Sequence, residues 1–296
     1  MWIANNWKDY EVIDTSGGEK LERWGNYILL RPDPQVIWDT PKEVPEWNKL
    51  NGHYHRSSKG GGEWEFRNLP EEWQIGYRDL KFNLKPFSFK HTGLFPEQAV
   101  NWDWFSKIIT DAKATGKYSK ERPLKVLNLF AYTGGATVSA AKAGAQVTHV
   151  DASKGMVGWA KENAVVSGLE NAPIRWLVDD CVKFVEREIR RGNKYDGIIM
   201  DPPSYGRGPK GEIWKIEESI YPFVELCTNI LADDALFFLI NSYTTGLQPA
   251  VLSYMLNTLI TKKFGGHVKA DEIGLPVSSN GLVLPCGASG RWTRNA

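Results

Sequence analysis

The chain has 296 residues, and 36 Lys and Arg side chains nearly balance 35 Asp and Glu side chains, for a formal net charge of +1. This length accommodates an α/β domain of about 200 residues together with a smaller one. The net charge excludes a global basic field of the kind that marks many nucleic-acid-binding proteins, so an RNA contact must come from local patches. Three cysteines without C-x-x-C spacing favour neither a zinc site nor a disulfide framework, and we expect no metal.

The N-terminal residues lack the pattern of a signal peptide. Lys8, Asp9 and Glu11 lie in a segment that has no apolar core. Elsewhere in the sequence, every apolar run is far shorter than the roughly 20 residues of a membrane-spanning helix. We therefore expect a cytoplasmic protein that has no membrane partner.

Residues 1–90 differ in composition from the rest of the chain. They are rich in tryptophan and consist of short segments broken by Gly, Pro and Asn, and residues 27–31 and 64–66 have the composition of strands. This pattern predicts a small β-rich domain that binds the substrate. Its tryptophans either fill the core or, where exposed beside basic residues, stack on bases. The tryptophans are Trp2, Trp7, Trp24, Trp38, Trp47, Trp64 and Trp73, and the basic residues are Arg31, Arg56, Lys59 and Arg67.

Residues 91–98 have no clear period and join the two parts of the chain. Residues 98–112 then place apolar side chains on one face of a predicted helix. From residue 124 onward, strands and helices alternate with short connections, which predicts a mostly parallel sheet covered on both faces and an antiparallel final hairpin. The sequence therefore predicts a second domain, residues 91–296, with a doubly wound, Rossmann-like α/β fold.

The first strand of this domain, residues 126–130, leads into a turn at Gly134 and Gly135, a helix of small residues, and a second strand that ends in Asp151. In such a unit the acid lies at the carboxyl end of its strand, where it can accept hydrogen bonds from a ribose diol. The turn lacks both G-x-G-x-x-G and the P-loop lysine, so a nucleoside cofactor without a pyrophosphate, such as S-adenosylmethionine, fits. The alternative is a structural crossover that binds no ligand.

The later elements continue the alternation. Ser153 is expected to cap the second helix, and the third strand ends at Asp180, which either serves the cofactor or caps the next helix. The other predicted elements are a third helix that buries Val182, Val185 and Ile189, a strand over 195–200, a fourth helix with Cys227 in its buried stripe, a strand over 235–240, a helix over 252–260, and strands over 268–273 and 282–284.

The fourth strand runs into Asp201, Pro202, Pro203, Ser204 and Tyr205. In an open α/β sheet, ligands bind beyond the carboxyl ends of the strands where the winding direction reverses, so this segment is expected to face the same crevice as the first turn. The two prolines remove N–H donors and leave carbonyl oxygens that can accept from an amino group of a base. The tyrosine offers a ring for stacking.

With these motifs the chain resembles the class I S-adenosylmethionine-dependent methyltransferases, specifically the branch that includes bacterial large-subunit ribosomal RNA methyltransferases. The resemblance covers residues 90–296 and rests on 128–135, Asp151, Asp180 and 201–205, with 91–98 similar to the segment that precedes the domain in that branch. It implies S-adenosylmethionine as the cofactor, with catalysis by Asp201, Pro202 and Tyr205. The implied cofactor-binding residues are Asn128, Phe130, Ala131, Tyr132, Gly134, Asp151, Ala152, Ser153, Asp180 and Asp201.

Two departures from related enzymes bear on the acceptor atom. Cytosine-C5 methyltransferases of this group attack the pyrimidine with a cysteine after strand four or five, but this chain has Ser204 and Ser242 in those segments. Amino-methylating relatives carry an aromatic ring directly after the second proline, whereas here Ser204 precedes Tyr205. Because neither segment offers a cysteine, we expect methyl transfer to a nitrogen of an RNA base, most simply in ribosomal RNA.

Three basic residues follow in the loop after this motif and either bind RNA phosphates or are simply solvated: Arg207, Lys210 and Lys215. Two other classes of function fit the same cofactor motifs. One is a methyltransferase that acts on a small molecule or a protein. The other is an RNA-binding assembly factor that has no catalytic activity. The sequence leaves the oligomeric state open.

Overall fold

A computed structural model describes residues 1–57, 61–87, 90–207 and 213–295. The chain divides into two compact units. The first contains Met1–Val100 and Ile273–Cys286, and the second contains Asn101–Glu272 and Gly287–Ala296. The boundary that the sequence predicts, between residues 90 and 91, lies inside the first segment of the first unit. The chain then returns to this unit near its C-terminus.

The first unit is built from short strands, as the sequence predicts for residues 1–90. They are β1 (Trp2–Ile3), β2 (Tyr10–Ser16), β3 (Glu19–Trp24), β4 (Tyr27–Pro32), β5 (Gly52–Arg56), β6 (Gly62–Phe66), β7 (Trp73–Tyr77) and β8 (Leu80–Leu84), with 3₁₀ turns at Pro45–Asn48 and Pro96–Gln98. Strands β2 to β6 form one sheet in sequence order, in which only the β4–β5 pair is parallel, and β7 and β8 form a separate hairpin.

The returning segment pairs with the N-terminal strands of this unit. Ile273 lies beside Trp2 in a parallel pair, and Val277 forms a parallel bridge with Val12. The backbone N–H of Ser278 donates to the carbonyl oxygen of Val12 over 3.0 Å. The first unit is therefore discontinuous in sequence.

The tryptophans of residues 1–90 pack inside the first unit. Trp24 and Trp73 are buried and the other five are half-buried. Several of their indole N–H groups donate to the chain itself, for example Trp47 to Asp14 over 2.9 Å and Trp38 to the carbonyl oxygen of Thr15 over 3.2 Å. The structure thus favours the core interpretation of these residues over exposed stacking platforms.

The second unit alternates strands and helices as predicted. Its strands are β9 (Lys125–Leu129), β10 (Gln146–Asp151), β11 (Ile174–Val178), β12 (Gly197–Met200), β13 (Tyr205–Arg207), β14 (Ile213–Lys215) and β15 (Phe237–Ser242), and two long strands, β16 (His267–Pro276) and β17 (Val283–Thr293), have residues in both units. The helices are α1 (Ala99–Ala114), α2 (Gly135–Lys142), α3 (Lys154–Val166), α4 (Cys181–Arg191), α5 (Ile216–Cys227), α6 (Pro249–Leu256) and α7 (Lys262–Phe264), with a π-helical turn at Asn257–Thr261 between the last two.

The central sheet of the second unit has the order β17-β15-β12-β9-β10-β11. Strands β9, β10, β11, β12 and β15 are parallel, and β17 is antiparallel to β15. The chain winds from β9 outward through β10 and β11, then crosses to β12 and β15, so the direction reverses between β9 and β12. Leu129 pairs with both Val150 and Met200, which brings the carboxyl ends of these strands to one edge. The predicted doubly wound α/β fold is confirmed.

Three predicted details differ from the structure. Helix α4 buries Phe184 and Glu188, whereas Val182 and Ile189, which the apolar stripe placed inside, are half-buried. The side chain of Glu188 accepts a hydrogen bond from the Tyr195 hydroxyl over 2.7 Å, and this pairing lets a carboxylate occupy the buried face. The loop predicted after Tyr205 contains the strands β13 and β14, and β17 is much longer than the segment 282–284.

Candidate active site

The loop that follows β9 has an unusual backbone. Phe130 and Tyr132 adopt left-handed conformations, with φ of 54° and 51°, and Gly134 follows with φ of 82°. Such conformations cost a non-glycine residue about 1–3 kcal/mol and persist only where the surroundings hold them. Here the N–H of Ala131 donates to the carbonyl oxygen of Val150 over 3.1 Å, so the loop is tied to the end of β10.

The two glycines of the turn allow close packing on neighbouring helices. A Cβ atom on Gly134 would lie 2.8 Å from Cβ of Ala160 in α3, and one on Gly135 would lie 2.7 Å from the Trp102 ring in α1. Any larger side chain would push the loop away from these helices. The turn predicted at Gly134 and Gly135 is therefore confirmed. Glycine is required there because the loop backbone packs directly against helices α1 and α3.

Asp151 holds the loop from the end of β10. Its Oδ2 accepts from the N–H of Tyr132 over 2.9 Å, and its Oδ1 accepts from the N–H of Ser153 over 2.8 Å. Burial raises the pKa of this carboxyl above its ordinary value, although the two N–H donors oppose the shift. Ser153 caps α3 by accepting from the N–H of Met156, as predicted, and Ala152 beside it is exposed.

A buried polar chain lies beneath the loop. The Asn128 side chain donates to Oγ1 of Thr137 over 2.9 Å, and that oxygen lies 2.8 Å from Nδ1 of His149. Both Asn128 and His149 are buried, and among the described residues Nε2 of His149 has no hydrogen-bond partner. Burial lowers the pKa of His149 to about 3, so the ring is neutral. Asn128, an implied cofactor-binding residue, thus uses its amide to join β9 to α2.

The end of β11 supplies the next acid. Oδ1 of Asp180 accepts from the N–H of Lys183 over 2.9 Å and so caps α4, which is one of its two predicted roles. Asp179 pairs with Arg187. The buried thiol of Cys181 accepts from the N–H of Phe130 over 3.4 Å, and burial raises its pKa well above the ordinary value. This cysteine therefore supports the β9 loop as a neutral thiol.

The segment after β12 lies beside the β9 loop, because Met200 and Leu129 are register partners. Asp201 is half-buried and Pro202 is buried. The Pro203 carbonyl, one of the two expected to point outward, accepts from Nε1 of Trp214 over 2.7 Å. Among the described residues, none donates a backbone hydrogen bond to the Pro202 carbonyl oxygen.

A short hairpin of β13 and β14 extends from this segment. Tyr205 is 53% exposed on β13. Trp214 on β14 packs against Phe130 and Phe223, with ring centroids 5.1 and 5.7 Å away. The hairpin thereby joins the β12 segment to the strained loop. Trp214 was not among the predicted site residues, and the sequence marks it only as the single aromatic residue between Tyr205 and Tyr221.

The three residues predicted to bind phosphate fall in the part of the sequence that contains this hairpin. Arg207 has its backbone in β13, and Lys210 lies outside the described residues, as does Lys59 of the first unit. Lys215 is exposed, and its Nζ lies 3.0 Å from Oε1 of Glu218. The structure therefore places one of these cations in a surface ion pair.

A second buried polar group, absent from the sequence analysis, lies at the end of β15. The side-chain nitrogen of Asn101 donates to Oδ1 of Asn241 over 3.1 Å, and Ser289 donates to the same atom over 2.6 Å. The Arg291 guanidinium donates to Oδ1 of Asn101 over 2.7 and 2.9 Å, and burial lowers its pKa to about 9. These bonds fix α1 and β17 to the strand beside β12.

The sequence matches the family model of the S-adenosylmethionine-dependent methyltransferases over residues 45–213. A ribosomal RNA large subunit methyltransferase K/L from Pseudoalteromonas atlantica is 34% identical over 245 residues, which cover 73% of this chain and 32% of that protein. The protein of the same name from Shewanella frigidimarina is 37% identical over 139 residues, which cover 46% of this chain and 18% of that protein. The chain thus spans about a fifth to a third of the length of these curated relatives.

Solved structures agree with this match. The S-adenosylmethionine-dependent methyltransferase from Agrobacterium tumefaciens is 37% identical, with a TM-score of 0.89 over 99% of this chain and 93% of its own. A Streptococcus mutans protein that is 18% identical aligns over 97% of this chain and 76% of its own with a TM-score of 0.71, which indicates a shared fold alone. Within the part of the chain that the structure describes, every helix is too short or too polar to cross a lipid bilayer.

Proposed function

Because the chain belongs to the S-adenosylmethionine-dependent methyltransferase family and uses that cofactor, we propose that it methylates a nitrogen atom of an RNA base, in ribosomal RNA. The observation that carries the proposal is the position of Asp201 and Pro202, which directly follow the register pair of Met200 and Leu129 at the point where the strained loop of β9 begins. The names of the curated relatives support ribosomal RNA as the acceptor. Work on ribosomal RNA would place the protein in the cytoplasm, as expected from its sequence.

The residues around the β9 loop fit the cofactor. A carboxylate has about four lone-pair sites, and the loop N–H groups use one site on each oxygen of Asp151. The remaining sites would accept from the ribose diol, and the second oxygen of Asp180 would face the adenine side. The cofactor supplies a methyl group that its sulfonium has already activated, so the protein's task is alignment and charge stabilisation.

Asp201 and the Pro202 carbonyl would hold the acceptor. The Asp201 carboxylate and the Pro202 carbonyl oxygen would both accept hydrogen bonds from an amino group. Together they would orient that group and aim its lone pair toward the crevice. The carboxylate of Asp201 also stabilises the positive charge that develops on the nitrogen during transfer. Tyr205, exposed on β13, would cover the flat face of the base.

The state of the cysteines supports nitrogen over pyrimidine carbon. Burial raises the pKa of the Cys181, Cys227 and Cys286 thiols well above the ordinary value. A thiolate that attacks a pyrimidine ring needs the opposite shift. A nitrogen lone pair attacks the methyl carbon directly and needs no covalent adduct.

A cavity in the first unit has the character of an RNA phosphate site. It has a volume of about 200 Å³, and its lining includes Tyr54, Arg56, Lys90 and His91. Nζ of Lys90 donates to the Pro32 carbonyl oxygen over 2.9 Å but forms no ion pair with a described carboxylate. Burial, with the nearby cations Lys20 and Arg31, lowers the pKa of Lys90 to about 8 although Asp33 and Glu22 oppose the shift, and a phosphate would relieve this unfavourable setting.

Transfer of a labelled methyl group from S-adenosylmethionine tests the proposal. Incubation with protein-free ribosomal RNA should label the RNA, and Asp201→Ala should reduce the label far more than it weakens cofactor binding. Lys90→Ala should weaken RNA binding and reduce its salt dependence, whereas Lys107→Ala, which removes an exposed lysine of α1, should do neither.

Mass spectrometry of digested ribosomal RNA from a deletion strain and its parent would then identify the missing modified base. Label that enters only protein or small metabolites would favour the other acceptor classes. RNA binding without any transfer would favour an assembly factor.

A further inference from the structure

Two histidines and a glutamate share one face of the β5–β6 hairpin in the first unit. His53 and His55 are two residues apart on β5, so their side chains point to the same side of the strand. Glu65 on β6 is the register partner of His53. Each residue offers one atom that could bind a metal ion, and these three atoms all lie within 4.8 Å of one another. The imidazole centroids are 3.9 Å apart.

A second carboxylate orients one of the rings. Nε2 of His53 lies 2.7 Å from Oε1 of Glu19 on β3, which leaves Nδ1 of the same ring to bind another group. Nε2 of His55 lies 3.0 Å from Oε2 of Glu65. In protein metal sites the ligating histidines are typically held by a carboxylate or carbonyl on their other ring nitrogen. The Glu19 contact has this form.

We propose that His53, His55 and Glu65 bind a divalent transition-metal ion such as Zn²⁺, with Glu19 as the residue that positions His53. Imidazole nitrogen and carboxylate oxygen are normal zinc ligands, and three protein ligands leave a coordination position for water. The site contains no cysteine, so the sequence-based expectation of no metal, which rested on cysteine spacing, did not address it. Bound metal would join β5 to β6 at the edge of the five-stranded sheet.

The basic residues around the cluster contact the carboxylate oxygens that point away from the histidines. Arg67 approaches Oε1 of Glu65 to 2.6 Å, so Oε2 remains the oxygen beside His55. Lys42 lies 3.7 Å from Oε2 of Glu19, while Oε1 holds His53. Each carboxylate thus turns one oxygen to a cation and the other to a histidine. Without metal, these contacts would be surface His–Glu pairs of small energetic value.

Zinc titration of the full-length chain without a histidine tag tests the site. Calorimetry and competition with a chromophoric zinc chelator should give one Zn²⁺ per chain, and added Zn²⁺ should raise the melting temperature. Glu19→Gln should weaken binding by about 10–100-fold, as expected for a residue that orients a ligand. His55→Ala should weaken it at least as much, whereas His267→Ala, at an exposed histidine outside the cluster, should bind normally.

Co²⁺ in place of Zn²⁺ provides an independent spectroscopic measurement, because a site with nitrogen and oxygen ligands should give visible absorption that His53→Ala and His55→Ala lose. Circular dichroism and binding of S-adenosylhomocysteine verify that each variant is folded. One-to-one zinc binding that survives in both histidine variants would overturn the proposal. So would a wild-type titration with neither measurable binding nor a change in melting temperature.

Discussion

His149 should make the protein unstable in mild acid. The ring is fully buried beneath the cofactor loop, with Nδ1 beside Thr137 and Nε2 without a hydrogen-bond partner among the described residues. A second proton on the ring would therefore create a buried cation whose Nε2–H has no acceptor among the described residues. The folded state resists protonation, whereas the unfolded chain does not. We expect His149→Gln to remove this source of acid sensitivity.

The magnitude follows from the two pKa values. A histidine in the unfolded chain has a pKa of about 6.5, and burial lowers that of His149 to about 3. Because the pKa of the folded state is the lower one, the stabilisation is fully present above pH 6.5 and is lost as the pH falls toward 3. The loss is about 1.4 kcal/mol per pH unit in that interval, or about 2 kcal/mol between pH 7 and pH 5.

Urea unfolding at pH 7, 6 and 5, followed by circular dichroism and tryptophan fluorescence, measures this loss. Trp176 lies 4.9 Å from the His149 ring and reports on its surroundings. The wild type should lose about 2 kcal/mol more than His149→Gln over this range, and His267→Gln, at an exposed histidine, should behave as the wild type does. Equal losses in all three proteins would refute the reasoning and place the acid sensitivity on carboxylates.

Three further outcomes bear on the active site. Asp151→Ala should weaken binding of S-adenosylmethionine by one to two decades, since lost hydrogen bonds to a charged acceptor cost about 1.5–3 kcal/mol, and calorimetry that finds unchanged affinity would place the ribose elsewhere. Asp201→Ala should slow single-turnover methyl transfer far more than it weakens cofactor binding, and near-normal turnover would make this acid structural. Replacement of Cys181, Cys227 or Cys286 by serine should leave transfer within a few-fold of normal. A covalent adduct trapped by a 5-fluoropyrimidine RNA would contradict that expectation.

The sequence predicted the parallel sheet because its strands are short apolar runs between turns. Residues 174–178 and the strand that ends in Asp151 are examples whose limits agree closely with β11 and β10. The hairpin of β13 and β14 escaped prediction because its strands are three residues long and carry glycine and charge. Pairing between such strands depends on tertiary contacts such as those of Trp214, which no local pattern reveals.

The sequence predicted which strand ends form the candidate site, but it did not predict the hydrogen bonds that the surrounding side chains make. The sequence located Asp151 and Asp201 because the carboxyl ends of parallel strands meet at one edge. It did not reveal that the amide of Asn128 is occupied by Thr137, or that Cys181 supports the loop backbone. Those pairings join positions that lie 9 and 51 residues apart in sequence, and spacing alone does not determine them.

The discontinuity of the first unit affects the order in which the protein can fold during synthesis. Strands β2 to β6 leave the ribosome early, yet Val12 and Ile13 receive backbone hydrogen bonds from Ser278 and Ser279. The chain must therefore emerge at least as far as Ser279 before these early strands have all of their partners. Until then the carbonyl oxygens of β2 remain open to water, chaperones or other nascent chains. An N-terminal fragment expressed alone would keep that unfinished edge permanently.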